Sequence, residues 1–139
     1  LGAPSMNLLE ATVAAPHEVA LNLNPGHRIV GVELDAEPGQ KVVVGIRPES
    51  ITLAPWGTNG IAASLDLVEE LGGSRFGYCS LAGAEIALQL PHGFEASEGA
   101  LVHLEFAPHL LHFFDRATGR RIASGGDSEG DPGHRLAAE

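Results

Sequence analysis

The sequence has few basic residues. Its 139 residues include 8 lysines and arginines against 18 aspartates and glutamates, which gives a formal net charge of −10, and Lys41 is the single lysine. Proteins bind nucleic acids mainly through lysines and arginines that release counterions from phosphates. The same side chains attract proteins to anionic membranes. The composition therefore argues against a nucleic-acid partner and against binding to an anionic membrane surface.

Cysteine and long apolar runs are also scarce. Cys79 is the only cysteine, so the sequence cannot form an intrachain disulfide, and this predicts a reducing, cytoplasmic environment. No apolar stretch approaches the roughly 18 residues that a membrane-spanning helix needs. Apolar residues nevertheless make up 44% of the chain, which is ordinary for a globular domain with a core.

The main pattern present is alternation with a period of two. In Glu18–Leu23 every second side chain is apolar, and Glu85–Leu90 and Leu101–Phe106 alternate in the same way. Because successive side chains of a strand point to opposite faces, these segments are predicted to be strands with one buried side. The full set of predicted strands is Met6–Ala14, Glu18–Leu23, Arg28–Glu33, Val42–Ile46, Ile61–Glu70, Arg75–Leu81, Glu85–Leu90, Leu101–Phe106, Leu111–Asp115 and Arg120–Ala123.

Glycine and proline clusters separate these strands at short intervals. Examples are Glu37-Pro38-Gly39, Leu71-Gly72-Gly73-Ser74 and Pro91-His92-Gly93, and such residues favour turns because glycine allows positive φ and proline restricts φ. Many short strands joined by turns predict an all-β fold, an antiparallel β-barrel, over residues 1–123. Residues 124–139 are rich in glycine, serine and acidic residues and are predicted to form a flexible tail.

The run Gly45-Ile46-Arg47-Pro48-Glu49 is predicted to be the end of a strand. Pro48 removes a backbone donor and disfavours the helical conformation at Arg47, so the strand stops with Arg47 and Glu49 on either side of a rigid corner. The residues alone favour the simpler interpretation, a strand terminus with a surface ion pair. The alternative is an interaction site.

A tight hairpin is predicted between Phe113-Phe114-Asp115 and Arg120-Arg121-Ile122. Asp115 can accept backbone hydrogen bonds, and Gly119 tolerates a left-handed conformation. Alternation places only one of Phe113 and Phe114 in the core. The hairpin is therefore either purely structural, or it presents Phe113 or Phe114 to a neighbouring domain or subunit.

Four separated segments resemble the C-terminal regulatory (TOBE/OB-type) domain of ATP-binding subunits from sugar-importing ABC transporters of the maltose and glycerol-3-phosphate type. They are Gly2–Leu9, Gly45–Glu49, Val68–Gly72, and Leu111–Asp115 with Thr118-Gly119, and they span roughly Leu1 to Ala123. Phe113 departs from the family pattern, in which leucine is more usual at that position.

The resemblance implies an OB-like barrel without catalytic activity that holds two ATPase subunits together as a homodimer and receives regulatory signals. Its implied partners are the nucleotide-binding domain of the same subunit, the membrane subunits of the transporter at the cytoplasmic face of the inner membrane, and a regulatory protein. It implies no metal or cofactor here, because ATP and Mg would be bound by the nucleotide-binding domain. The implied interaction surface consists of Arg47, Glu49, Glu69, Gly72, Phe113, Phe114 and Asp115.

The sequence does not contain the catalytic motifs that were considered, and its histidines do not favour a metal site. A phosphate-binding loop ends in Lys-Ser or Lys-Thr, whereas Lys41 is followed by valine, and no Gly-x-Ser-x-Gly elbow of a serine hydrolase is present. Three histidines, His103, His109 and His112, are close enough in sequence to suggest zinc. However, His103 lies on the polar side of its strand and a proline follows before His109, so solvent-facing histidines are predicted instead.

Two binding functions remain as alternatives. Related barrels of molybdate importers bind oxyanions, although the acidic balance of this chain opposes anion capture. An oligonucleotide-binding barrel needs a basic groove with interleaved aromatic side chains, and aromatic residues make up only 5% of this sequence.

Overall fold

The structure is a computed structural model that describes residues 4–23, 26–54, 60–81, 83–95 and 97–124. Residues 125–139 of the predicted flexible tail lie outside the described residues, as do Gly2 and Ala3 of the N-terminal family-like segment. Ser124, the first residue of the predicted tail, is buried and forms an isolated antiparallel bridge with Leu34. Ser124 is therefore part of the β-structure.

The regular secondary structure of the described residues is almost entirely β-strand, which confirms the predicted all-β fold class. Each predicted strand is present, with ends that differ by a few residues, and the sequence missed only the three-residue strand β5, which is too short to show a clear alternation. Short 3₁₀ helices cover Pro48–Ser50 and Pro108–Leu110. The strands are β1 Asn7–Ala15, β2 Glu18–Leu21, β3 His27–Val30, β4 Lys41–Ile46, β5 Ile51–Leu53, β6 Ile61–Leu71, β7 Ser74–Leu81, β8 Ala84–Leu90, β9 Leu101–Phe106, β10 His112–Asp115 and β11 Arg121–Ile122.

The chain divides into two compact units, and the first comprises Leu1–Asn7, Leu23–Pro25 and Ile46–Ala107. It contains an antiparallel five-stranded sheet in the order β5-β9-β6-β7-β8. A bulge between Leu65 and Leu67 interrupts the pairing of β6 with β7. The inward-facing side chains of this sheet form the core of the unit, and the most deeply buried are Leu65, Cys79, Ile86, Leu88 and Leu104.

The second unit comprises Leu8–Asn22, Gly26–Gly45 and Pro108–Glu139. Its strands belong to a six-stranded sheet in the order β11-β10-β4-β1-β2-β3. Alternation along β1 buries every second side chain from Asn7 to Val13 and leaves those between them exposed or half-buried, as expected for a sheet with one solvent-exposed face. The buried face is rich in β-branched residues, which suit a pleated surface, and its largest fully buried side chains are Val13, Val19, Val42, Val44 and Phe113.

Candidate functional site

The corner after β4 has the geometry that its proline predicts. Arg47 is extended, with φ −76° and ψ 148°, and Pro48 is the first residue of the 3₁₀ helix. Pro48 is buried, while Arg47 and Glu49 are both exposed. No ion pair between Arg47 and Glu49 is found in the described part of the chain. The corner therefore separates these two charges instead of pairing them.

Glu69 lies on the exposed side of the β6–β7 hairpin. Its carboxylate accepts a hydrogen bond from the Tyr78 hydroxyl across the hairpin, at 3.1 Å between the two oxygens. The pKa of Tyr78 is raised by loss of hydration, then by this hydrogen bond and by the negative charges of Glu69 and Glu85. Glu69 thus has a local partner and is an exposed acidic group on the face of the hairpin.

Gly72 belongs to the tight turn of the same hairpin. Leu71 pairs with Ser74, so only Gly72 and Gly73 form the loop, and their φ angles are 58° and 90°. Positive φ at both central residues is the signature of a type I′ turn, whose twist matches that of the flanking strands. The structure therefore gives Gly72 a conformational role.

Substituting Gly72→Val is expected to destabilise the fold by about 1–2 kcal/mol, because a β-branched side chain is strained at positive φ. Gly72→Asn is expected to cost less than about 0.5 kcal/mol, since asparagine commonly occupies this position of type I′ turns. Urea denaturation of the two variants and the parent chain measures both values. Equal destabilisation by valine and asparagine would contradict this account of the turn.

The β10–β11 hairpin resolves the choice between Phe113 and Phe114. Phe113 is 1% exposed and pairs with Val44 on one side and Ile122 on the other. Phe114 points to the opposite face, where it is half-buried and lies opposite Val43. Phe113 is therefore a core residue, which removes it from the predicted interaction surface and leaves Phe114 as the accessible aromatic ring.

Asp115 holds the turn of this hairpin together. Its carboxylate accepts hydrogen bonds from the Thr118 N–H and the Gln40 side-chain amide, both at 2.9 Å, and its backbone carbonyl accepts from the Gly119 N–H at 2.7 Å. Gly119 has a φ of 76°, as the sequence predicted. Hydrogen bonds from Thr118 and then from Gln40 lower the pKa of Asp115, because they stabilise its charged form.

The hydrogen bonds of Asp115 predict a pH-dependent contribution to stability. A carboxyl group with a lowered folded-state pKa stabilises the fold above its unfolded-state pKa of about 3.9, and the contribution disappears as the pH falls through the folded-state value. Asp115→Asn is therefore expected to lower the melting temperature at pH 7 and to have a smaller effect at pH 2. Thermal melts across this range test the prediction, with Asp35→Asn as an exposed control. A melting-temperature difference that is constant with pH would contradict it.

A groove of about 600 Å³ lies in the first unit and includes Glu49 of the predicted interaction surface. Glu49 lines it from the corner after β4, and Glu70 and Gly73 line it from the β6–β7 hairpin. Its lining does not include the other six residues of the predicted surface, which are Arg47, Glu69, Gly72, Phe113, Phe114 and Asp115. Leu53 and Gln89 also line the groove. They were not predicted, because their position depends on which distant strands pair with each other.

Asn7 is the most important residue that the sequence analysis missed. It is 8% exposed, and its side-chain Nδ2 donates to the carbonyl oxygens of Ile46 at 3.1 Å and Ala87 at 2.8 Å. Its Oδ1 accepts from the Ala87 N–H at 2.8 Å. The side-chain amide thus pairs with Ala87 as a neighbouring strand would. The sequence signal that could have identified Asn7 is its position on the inward-facing side of the alternating Asn7–Val13 stretch, where the other residues are apolar.

Cys79 and the histidines of the described residues do not form a reactive or metal-binding cluster. Among the described residues, no group of three or more histidine, cysteine and acidic side chains could hold a metal ion. Cys79 is fully buried, and loss of hydration, followed by the charge of Asp66, raises the pKa of its thiol to about 11. His109 is exposed, as predicted, whereas His103 and His112 are half-buried, and the guanidinium of Arg121 lies 2.6 Å from His112 Nδ1.

The two sheets define an all-β module. The chain belongs to the TOBE domain family, whose model matches residues 44–114. A second family model, the MalK OB fold domain, matches residues 2–51. These two matches confirm the resemblance that was drawn from four separated segments.

Several curated proteins are similar over most of this chain. One is an sn-glycerol-3-phosphate import ATP-binding protein, UgpC 2, from Agrobacterium fabrum, which is 35% identical over 93% of this chain and 34% of its own length. The protein of the same kind from Paracoccus denitrificans is 36% identical over 88% of this chain and 33% of its own length. This chain therefore spans about a third of the length of these relatives.

A solved structure shares the fold. The cytoplasmic molybdate-binding protein ModG matches with a TM-score of 0.57 and 14% sequence identity, over 81% of this chain and 98% of that protein's chain. At this identity the likeness concerns the fold alone. In the described part of the chain, no helix is long and apolar enough to cross a bilayer.

Proposed function

We propose that this chain is the non-catalytic regulatory and dimerisation domain of an ATP-binding subunit of a bacterial carbohydrate-type ABC importer. The observation that carries the proposal is the match to import ATP-binding proteins over 93% of this chain, together with both family models. In this proposal, ATP and Mg are bound by a nucleotide-binding domain of the same subunit. The subunit works at the cytoplasmic face of the membrane, beside the membrane subunits of the importer.

The outer face of the six-stranded sheet is the surface that we propose for the homodimer. Phe114 and Val43 lie opposite each other on this face and are half-buried, and Leu8, on the same face of the sheet, is 62% exposed. Apolar side chains on an otherwise polar, solvent-exposed sheet face favour burial against a partner. A two-fold symmetric pair would bring two copies of this face together.

Sedimentation of the chain over a range of concentrations tests this role. The parent chain is expected to self-associate, and Phe114→Asp or Leu8→Asp is expected to weaken the association at least tenfold, because each buries a charge at the contact. Leu67→Asp is the matched control, since Leu67 is 46% exposed in the first unit. A chain that remains monomeric at high concentration, or a control that weakens association equally, would contradict the proposed dimer surface.

Oxyanion binding is the alternative function, and its support is the shared fold with a molybdate-binding protein. The net charge of −10 and the two carboxylates of the groove oppose it, because anions bind where donors and positive charge converge. Calorimetry with molybdate and tungstate decides between the two. A saturable heat at sub-millimolar concentrations would favour the alternative.

A further inference from the structure

The edge of β8 that faces away from β7 lies near the 3₁₀ helix Pro48–Ser50 and β5, and among the described residues it pairs with no further strand. β8 is the last strand of the five-stranded sheet and pairs only with β7 there. The N–H and C=O of Ala87 bond to Asn7, so they point away from β7. Because the backbone groups of alternate residues point the same way, those of Gln89 also point away from β7. No described residue is recorded as their hydrogen-bonding partner.

The strand on the other side of the groove is arranged in the same way. The Ala54 N–H donates to the carbonyl oxygen of His103 on the β9 side at 2.8 Å. In the register that places Leu53 opposite Leu104, the N–H and C=O of Leu53 then point away from β9. Leu53 and Gln89 both line the groove. The groove is thus bordered by unpaired backbone groups from two strand edges.

The charged side chains of the groove favour a cation. Glu49 is exposed, and in the described part of the chain no ion pair involves it. The side chain of Glu70 is 75% exposed, and its carboxylate lies 3.8 Å from Nε of Arg75. The guanidinium of Arg75 is already bonded to the Phe94 carbonyl oxygen at 2.9 Å. His92 is the other titratable group of the lining.

We propose that this groove binds an extended peptide segment of a partner protein, which pairs with the backbone of Gln89 and places a lysine or arginine side chain against the carboxylates of Glu49 and Glu70. Addition of a strand to an open sheet edge is a general mode of peptide recognition. The proposal rests on the regulatory part of the proposed function and gives its partner a chemistry. It does not depend on dimerisation.

The same geometry limits the length of the contact. On one side, Asn7 already occupies the backbone groups of Ala87. On the other side, Pro91 has no N–H to donate. The accessible edge is therefore centred on Gln89, so the bound segment is short and one basic side chain contributes much of the selectivity.

Peptide titrations of the 139-residue chain, followed by backbone amide chemical shifts, test the proposal. The probe is a capped heptapeptide of alternating valine and lysine. It is expected to bind saturably and to shift the amides of Gln89 and Leu53. A peptide with glutamate in place of lysine is expected to bind about tenfold more weakly, because it loses the charge attraction. A peptide that is N-methylated on its pairing edge is also expected to bind about tenfold more weakly, because it loses backbone hydrogen bonds. Equal binding of all three peptides, or shifts confined to other residues, would overturn the proposal.

Variants of the groove provide a second test. Glu49→Gln and Glu70→Gln are each expected to weaken binding of the lysine peptide about threefold, whereas Glu85→Gln, on β8 but outside the groove lining, is expected to leave it unchanged. Sedimentation of the same samples measures self-association independently of peptide binding. A chain that dimerises without binding the peptide, or binds the peptide without dimerising, therefore shows which of the two proposals fails. Dissociation of a dimer by the lysine peptide would show that a second copy occupies the groove and would overturn the peptide proposal.

Discussion

Phe113→Ala is expected to destabilise the fold by about 3–5 kcal/mol, the largest effect of any substitution considered for this protein. Phe113 is 1% exposed and is the largest of the fully buried side chains. Its strand is paired on both sides, with Val44 and with Ile122. Because neighbouring strands fix the backbone around it, the cavity left by alanine cannot close fully. Denaturation by guanidinium chloride, with linear extrapolation to water, measures the loss.

Two comparisons separate burial from residue type at this hairpin. Phe114→Ala, at a half-buried position on the other face, is expected to cost about 1 kcal/mol. Phe113→Leu keeps most of the apolar volume and is expected to cost about 1.5 kcal/mol or less. Similar losses for Phe113→Ala and Phe114→Ala would contradict the placement of Phe113 in the core.

Asn7→Ala is expected to destabilise the fold by about 3 kcal/mol. The substitution removes the hydrogen-bonding partner of the Ala87 N–H and C=O and of the Ile46 carbonyl. A buried backbone group left without a partner costs about 1–3 kcal/mol. The total for three groups is reduced where the structure relaxes around the alanine or a water molecule takes the place of the lost amide. The same denaturation experiment measures the change.

Asn22→Ala is the matched control for Asn7, since it removes the same side chain from an exposed position. Its cost is expected to lie within about 0.5 kcal/mol. Asn7→Asp gives a further comparison, because a carboxylate accepts from the Ala87 N–H but cannot donate to the two carbonyls. An aspartate as stable as asparagine at pH 7 would show that the donated bonds contribute little.

Several features of the fold were accessible from the sequence because they depend on neighbouring residues. The alternation of Leu101–Phe106 predicted the bounds of β9 that the structure has, since period-two burial is a local property. The glycines of the β6–β7 turn and Gly119 were found because positive φ is a requirement of the individual residue. Pro48 likewise set the extended conformation of Arg47.

The candidate site was predictable only in part. The sequence singled out Glu49, Glu69 and Gly72, and the structure brings Glu49 to one groove with Glu70 and Gly73, the neighbours of the other two. It could not show that Gln89 and Leu53 border the same groove, because which strands end a sheet depends on pairing between distant segments. Likewise, it could not choose between Phe113 and Phe114, since alternation fixes opposite faces without naming the buried one.

The sequence by itself determined the all-β class, the positions of the turns and the acidic character of the chain, because each follows from residue type and local spacing. Only the tertiary structure decided that Asn7 bonds to Ala87 across 80 residues of sequence, and that the outward-pointing backbone of Gln89 faces a groove. The physical reason is that a strand's hydrogen bonds are made with another segment. Which backbone groups of a strand remain unpaired is therefore known only when all of the neighbouring strands are known.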